Sequence, residues 1–276
     1  MAPGYALLAS LAWGIGDFLG GVKSRVLPAL VVMGASQPFG LAILAIVVAA
    51  RWQGPPGREI LWAIPASALG TAGIVGFYRG MAAGAITVVA PIASVAAAIP
   101  VAWGLAHGDG VSFVQEIGFV AALGGTAMTS IERGDDRTRI AAGTGWAMVA
   151  LLGFGGYFVL FHAASRHDWL WPSFVFRLTS VALIWLALLA RRQGVRGIRP
   201  HLAALVAIGI LDTGGNVLFA AASSAHGLLS VVSVLASLYP VVTVLLARVT
   251  IGERVERSQD LGVVMTLVGV VLVSAG

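Results

Sequence analysis

Apolar runs recur along this chain with short polar breaks between them, and each is close to the roughly 20 residues that a helix needs to cross a bilayer. In hydrocarbon the backbone must satisfy its own hydrogen bonds, so a spanning segment is a helix or part of a closed barrel. A barrel strand alternates apolar and polar residues with period two. These runs are continuously apolar, so helices are predicted. Reading between the breaks gives ten spans, near 4–22, 28–50, 60–80, 84–106, 112–131, 141–164, 171–190, 201–222, 227–249 and 258–275. Lys23-Ser24-Arg25 closes the first, Arg51-Trp52-Gln53-Gly54-Pro55-Pro56 the second, and Arg191-Arg192-Gln193-Gly194 the seventh. Between the third and fourth lie only Arg79 and Gly84, which demands a tight turn. The first run lacks the basic leader of a signal peptide and reads as a span in its own right.

Composition agrees. Apolar side chains make up 58% of the 276 residues and charged ones 11%, the reverse of what a soluble enzyme or a disordered chain requires. The formal charge of +5 does not point to nucleic acid, because the basic residues sit between apolar blocks, where membrane loops carry them. The chain has no Cys, which excludes disulfides, thiolate metal sites and Cys nucleophiles. No His, Asp or Glu grouping has metal-ligand spacing. Gly14-Ile15-Gly16 lies inside an apolar run and lacks the strand–turn–helix setting of a nucleotide loop. With no P-loop, the chain is not itself an ATP-driven pump. Neither a cofactor nor a metal is expected. Among the 36 Gly, four pairs have the G-x-x-x-G spacing (Gly16/Gly20, Gly76/Gly80, Gly80/Gly84, Gly104/Gly108). About five arise by chance at this glycine content, so the motif of close helix packing adds nothing here.

The chain repeats internally. The segment from Gly108 to Gly118 aligns without a gap with that from Gly252 to Gly262, matching Gly, acid, Val, Gln, acid, aliphatic and Gly in register. Arg51-Trp52-Gln53-Gly54 echoes Arg191-Arg192-Gln193-Gly194. The two echoes mark the same points in two five-span halves, 1–132 and 141–276, joined by a linker at 133–140. Five is odd, so the second half enters the membrane inverted relative to the first, an arrangement that many secondary transporters use. The predicted fold is therefore an all-α membrane protein of ten transmembrane helices in two inverted five-helix repeats.

Leu238-Tyr239-Pro240 followed by Gly252-Glu253-Arg254, Trp13-Gly14 in the first span, and Tyr78-Arg79-Gly80-Met81-Ala82 before the fourth carry a resemblance. The whole chain resembles the drug/metabolite transporter superfamily, of the EamA type. That resemblance implies export of small metabolites or drugs, amino-acid-like or aromatic, coupled to an ion gradient or run as exchange. The first-half counterpart of the Gly-Glu-Arg motif is reduced to Gly108-Asp109-Gly110.

Ten spans put both termini on one face. Arg51, Arg58 and Arg166, three basic residues, lie on that face, and thirteen lie on the other. The positive-inside rule then predicts a multi-pass protein of the cell membrane with both termini on the non-cytoplasmic side. The resemblance implies the opposite.

A charge at membrane depth is costly, so each deep polar residue is a functional candidate. Asp17 lies six residues, roughly 9 Å, inside the basic end of its span. It is either an acid solvated by Lys23 or Arg25, or a carboxylate lining a cavity that binds a cation or carries a proton. Arg177 lies in the seventh span, and Asp212 and Asn216 share one face of the eighth. At 1.5 Å per residue, Asn216 is level with Arg177 and Asp212 one turn deeper, which permits an Arg177–Asp212 ion pair. The offset of 140 that maps Arg51 to Arg191 maps Gln37 to Arg177 and Asp17 to Tyr157. Each half thus offers a polar pair, Asp17 with Gln37 and Tyr157 with Arg177. Trp13, Tyr78, Pro91, Tyr239 and Pro240 are candidates for the cavity wall, and Trp13, Trp103 and Trp146 also suit an interfacial belt. Pro91, Pro100 and Pro240 are expected to interrupt spans four and nine. His162 and His226 are read as interfacial, and Arg79 and Arg248 as snorkelling.

The function these features favour is a secondary transporter of a small organic solute, with protons as the candidate coupling ion. A lipid-head-group flippase would need basic residues for phosphate, and only Arg177 is available at depth. A membrane-embedded enzyme would need clustered acids or His near one interface. The expected partners are a small-molecule substrate and the lipid bilayer.

Overall fold

The computed structural model describes residues 1–24, 26–51, 53–82, 93, 95–129, 137–251 and 257–275. All regular structure among these residues is helical: α1 (Ala2–Ser24), α2 (Ala29–Arg51), α3 (Ala63–Ala82), α4 (Ala98–Ala106), α5 (Phe113–Thr129), α6 (Arg137–Ser165), α7 (Leu170–Ala190), α8 (Leu202–Ser224), α9 (Leu229–Ala236), α10 (Tyr239–Ile251) and α11 (Arg257–Ala275). Short 3₁₀ turns precede α3, α4 and α8. Among the described residues, six helical stretches are long and apolar enough to cross a bilayer: Ala2–Ser24, Ala29–Arg51, Arg58–Phe77, Gly145–Ser165, Leu170–Ala190 and Arg199–Ser224. Four shorter apolar ones accompany them, Val95–Ala106, Phe113–Met128, Leu229–Thr243 and Asp260–Val273. The outer surface is apolar, with Ile46, Leu186, Leu189, Val249 and Val271 exposed, as lipid requires. The chain is a multi-pass membrane protein.

The ninth span is interrupted at Pro240, as expected. That span is two helices, because α9 ends at Ala236 and Pro240 is the second residue of α10. There its missing N–H costs nothing and its fixed φ suits a helix start. Pro100 likewise sits in the first turn of α4. The proline inside a helix is Pro38 in α2, which deprives the Gly34 carbonyl of its usual donor. Pro91, residues 84–92 and 94 of the expected fourth span, residues 133–136 of the linker and Gly252-Glu253-Arg254 lie outside the described residues.

The helices of the two halves interleave. α1 packs along α8 and α3 along α6; α2 packs on both α7 and α8, and α3 on α7; α4 meets α9, and α5 lies against α11. The backbones of α5 and α11 also approach closely. A Cβ added at Gly125 would meet backbone atoms of Gly262 and Thr266, and one at Gly269 would meet backbone atoms of Ala122 and Gly118. As residue numbers rise along α5 they fall along α11, so these two helices run antiparallel.

Contacts between connecting segments define two ends of the bundle. At one end Asp109 accepts hydrogen bonds from Ser230 N (2.9 Å) and Ser230 Oγ (2.7 Å), capping α9 across the halves. Arg51 pairs with the buried Asp168 at 2.6 Å. Asp168 also accepts from the backbone N–H of Leu170 at the start of α7, and the Trp171 indole donates to the Gln53 carbonyl. At the other end Leu27, Val195 and Ile198 pack over α2 and α8.

Candidate functional site

The centre of the bundle holds a cavity of about 80 Å³, room for a small cluster of waters. Its wall comes from α1, α2 and α3 of the first half and α6, α7, α8 and α10 of the second. All six polar candidates, Asp17, Gln37, Tyr157, Arg177, Asp212 and Asn216, lie on this wall, with Trp13 and Tyr239. Pro240 does not line it. Pro91 and the side chain of Tyr78 lie outside the described residues.

The helices place these groups by simple spacing. Asp212 and Asn216 are four apart on α8 and so share a face. Trp13 and Asp17 are four apart on α1. Arg177 is 1% exposed, and its Nη1 donates to Asp212 Oδ2 at 2.6 Å. The Asp212 side chain is 25% exposed. Tyr157 Oη donates to Asn216 Oδ1 at 2.8 Å, and Ser180 Oγ donates to Gln37 Oε1 at 2.6 Å. The polar groups therefore pair between helices, and not as Asp17 with Gln37 and Tyr157 with Arg177. Asp17 sits on the cavity wall beside Asp212, rather than among the basic residues at the end of α1.

The remaining wall is aromatic. Trp13 is 9% exposed and meets Tyr157, Phe158 and Tyr239 at ring-centroid distances of 6.1–6.4 Å. A Cβ on Gly215 would collide with its indole, so the glycine makes room for the ring. Trp13 is thus a cavity residue and not part of an interfacial belt. Trp103 fits a belt: it is 50% exposed and stacks on His107 at 4.1 Å. The Arg79 guanidinium carbon lies 4.9 Å from the centre of the Trp146 ring and is held there rather than simply snorkelling.

Two buried groups differ from the sequence reading. His162 is inside the bundle, with Nδ1 3.0 Å from Ser223 Oγ. Because Ser223 Oγ donates to the Phe219 carbonyl, the histidine is the donor between them. Phe77, Phe154, Phe158, Phe176 and Ser180 also line the cavity and were not anticipated. A signal for part of this set exists: Phe154, Tyr157, Phe158 and Phe161 fall at i, i+3, i+4 and i+7 on α6, one face of a helix. Phe161, Phe176 and Phe219 pack with Tyr157 at 5.3–6.0 Å, toward the Arg51–Asp168 end.

Fold and cavity together define a polytopic helical membrane protein with a polar, aromatic-walled centre enclosed between its two halves. Residues 141–275 match the EamA-like transporter family, which places that part of the chain in the drug/metabolite transporter superfamily. A solved crystal structure shares the fold with a TM-score of 0.81 at 15% identity, over 99% of this chain and 96% of that one. No curated protein matches the chain.

Proposed function

We propose that this transporter exports a small organic solute by alternating access about the central cavity, as a secondary transporter. Its frame is ten spans in two inverted repeats, residues 1–132 and 141–276, joined at 133–140. The observation that carries this reading is that spans one to three and their counterparts six to eight build the cavity together. The packing supports it. Exchanging the halves turns the α1–α8 contact into α6–α3, and the α2–α8 contact into α7–α3, all of which occur. The α2–α7 and α5–α11 contacts each map onto themselves. The alignment of Gly108–Gly118 with Gly252–Gly262 pairs Gly118 with Gly262 and Gly125 with Gly269, and these are the glycines that meet reciprocally. Self-complementary contacts are the mark of a two-fold relation, and for antiparallel spanning helices that axis lies in the membrane plane.

Asp17, with no hydrogen-bond partner among the described residues, is the coupling carboxylate in this reading. The three-to-thirteen division of basic residues places the termini outside, so the Arg51–Asp168 end faces away from the cytoplasm. Reconstitution into liposomes tests the function. Counterflow of a labelled amino-acid-like or aromatic solute, accelerated by a pH gradient, is the expected result. Lipid scrambling without solute flux refutes it. Fluorescence without phosphatase activity from C-terminal GFP and alkaline-phosphatase fusions refutes the termini-out orientation.

A further inference from the structure

The Arg177 guanidinium uses one nitrogen of three. Nη1 holds Asp212, while Nε and Nη2 are buried and have no partner among the described residues. Those two nitrogens form one edge of the planar group, with N–H bonds that point in parallel, and this edge matches the two oxygens of a carboxylate. The edge is not an accident of the surface. The side chain is 1% exposed, lines the cavity, and is anchored by Asp212 from α8. Buried donors of a charged group are rarely left unpaired in folded proteins.

We propose that the Nε–Nη2 edge of Arg177 docks a carboxylate of the transported solute, with Asp212 remaining on Nη1 as the anchor. This rests on the transporter reading above and narrows it to one chemical class. Asp17 and Asp212 on the same wall oppose a phosphate dianion, because one guanidinium cannot offset so many negative charges. A carboxylate asks for one balancing positive charge beside Asp17, either an ammonium on the solute or a proton on the aspartate. Gln37, Asn216 and the rings of Trp13, Phe158 and Phe176 line the same cavity; it must widen beyond its 80 Å³ to take the remainder of the molecule, and its walls favour a carboxylate on a compact apolar or aromatic body.

The test is binding to the full-length protein in nanodiscs, by calorimetry, with four probes of one shape: 3-phenylpropanoate, phenylalanine, 3-phenylpropanamide and 2-phenylethylamine. Wild type is expected to bind at least one of the two carboxylates about tenfold or more tighter than the amide and the amine. Phenylalanine alone binding identifies the balancing charge as the solute's ammonium; 3-phenylpropanoate binding more tightly at lower pH identifies it as a proton. Arg177→Lys keeps the charge and the Asp212 pair but lacks the edge, and should bring the carboxylates down to the level of the amide. Equal binding of amide and carboxylate, unchanged carboxylate binding by Arg177→Lys, or no carboxylate binding at all overturns the proposal, and the wild-type comparison decides even if the variant does not fold. Liposomes that transport the amine or the amide but neither carboxylate retain the transporter reading and discard this one. Absence of flux for every probe, with lipid scrambling, discards both.

Discussion

Removing Asp212 should damage this protein more than removing Arg177, and removing both should damage it least. Arg177 is 1% exposed and its one partner among the described residues is Asp212. Asp212→Ala therefore leaves a whole guanidinium buried and unpaired, a change that costs about 3–5 kcal/mol in comparable buried pairs. Arg177→Met leaves a carboxylate that is 25% exposed toward the cavity, where water can solvate it, so the cost falls to roughly 1–3 kcal/mol. Replacing both removes the charges and keeps the volume, a change that is near neutral in other buried pairs. At roughly 2–4 °C per kcal/mol, Asp212→Ala should lower the melting midpoint by roughly 10 °C, with Arg177→Met intermediate and the double variant close to wild type. Tryptophan-fluorescence melting in a single detergent gives the ranking. A double variant as unstable as the sum of the singles would show that the two side chains are not coupled. Arg177→Met falling below Asp212→Ala would show that the cavity does not solvate Asp212.

Gly125→Ala and Gly269→Ala should each cost about 1–3 kcal/mol, because the added methyl meets backbone of the facing helix; a melting midpoint unchanged in both would contradict the α5–α11 packing. Asp168→Asn releases Arg51 at one end of the bundle. With no native Cys in the chain, Ser165→Cys, buried in the wild type, should react faster with a maleimide in that background, and an equal rate means the pair is not a latch. Asp17→Asn is expected to abolish proton-driven transport while leaving solute exchange partly intact; transport with an unaltered pH dependence reduces Asp17 to a wall residue.

Most of the frame was legible because lipid leaves the backbone few options. Run length and polar breaks located the helices of the first to third, fifth to eighth and tenth spans to within a few residues. The two-part ninth span was less legible: hydropathy is continuous across Ser237 and Leu238, and the turn shows only in how Pro240 starts the next helix. The close packing of α5 and α11 does not use the G-x-x-x-G spacing. The glycines that meet across the contact are spaced seven apart on each helix, Gly118 and Gly125 on α5 and Gly262 and Gly269 on α11, two turns of a helix, and the register of the repeat carries the first pair onto the second. Depth arithmetic placed Arg177 beside Asp212, since rise per residue is fixed. It could not reveal that Tyr157 turns to Asn216, or that Ser180 takes Gln37, because rotation about a helix axis is set by packing with neighbours. His162 reads as interfacial from its position near a helix end, yet Ser223 gives it a partner inside.

In the inverted-repeat, alternating-access proposal the two halves share a frame but not a chemistry, and this bears on how such a transporter would rest. Under the offset of 140, the rings that pack toward the Arg51–Asp168 end, Tyr157, Phe161, Phe176 and Phe219, map onto Asp17, Gly21, Ser36 and Arg79. Arg51 and Asp168 map onto Arg191 and Pro28. Aromatic packing and an ion pair thus mark one end, while the corresponding positions at the other end hold a glycine, a serine, a proline and charges. Turning the cavity over gives up the first set of contacts and gains no equivalent set. Under the proposed alternating access, a symmetric frame with asymmetric contacts does not populate its two orientations equally, and the conformation packed at the Arg51–Asp168 end is expected to be the resting one. A solute can shift that balance only by its difference in affinity between the two orientations, and a tenfold shift requires about 1.4 kcal/mol of such difference. The groups able to supply it change neighbours when α1, α2 and α3 move against α6, α7 and α8. Asp17, Gln37, Arg177 and Asp212 are the polar members of that set, which is why the coupling of transport to charge is sought there and not at the loops.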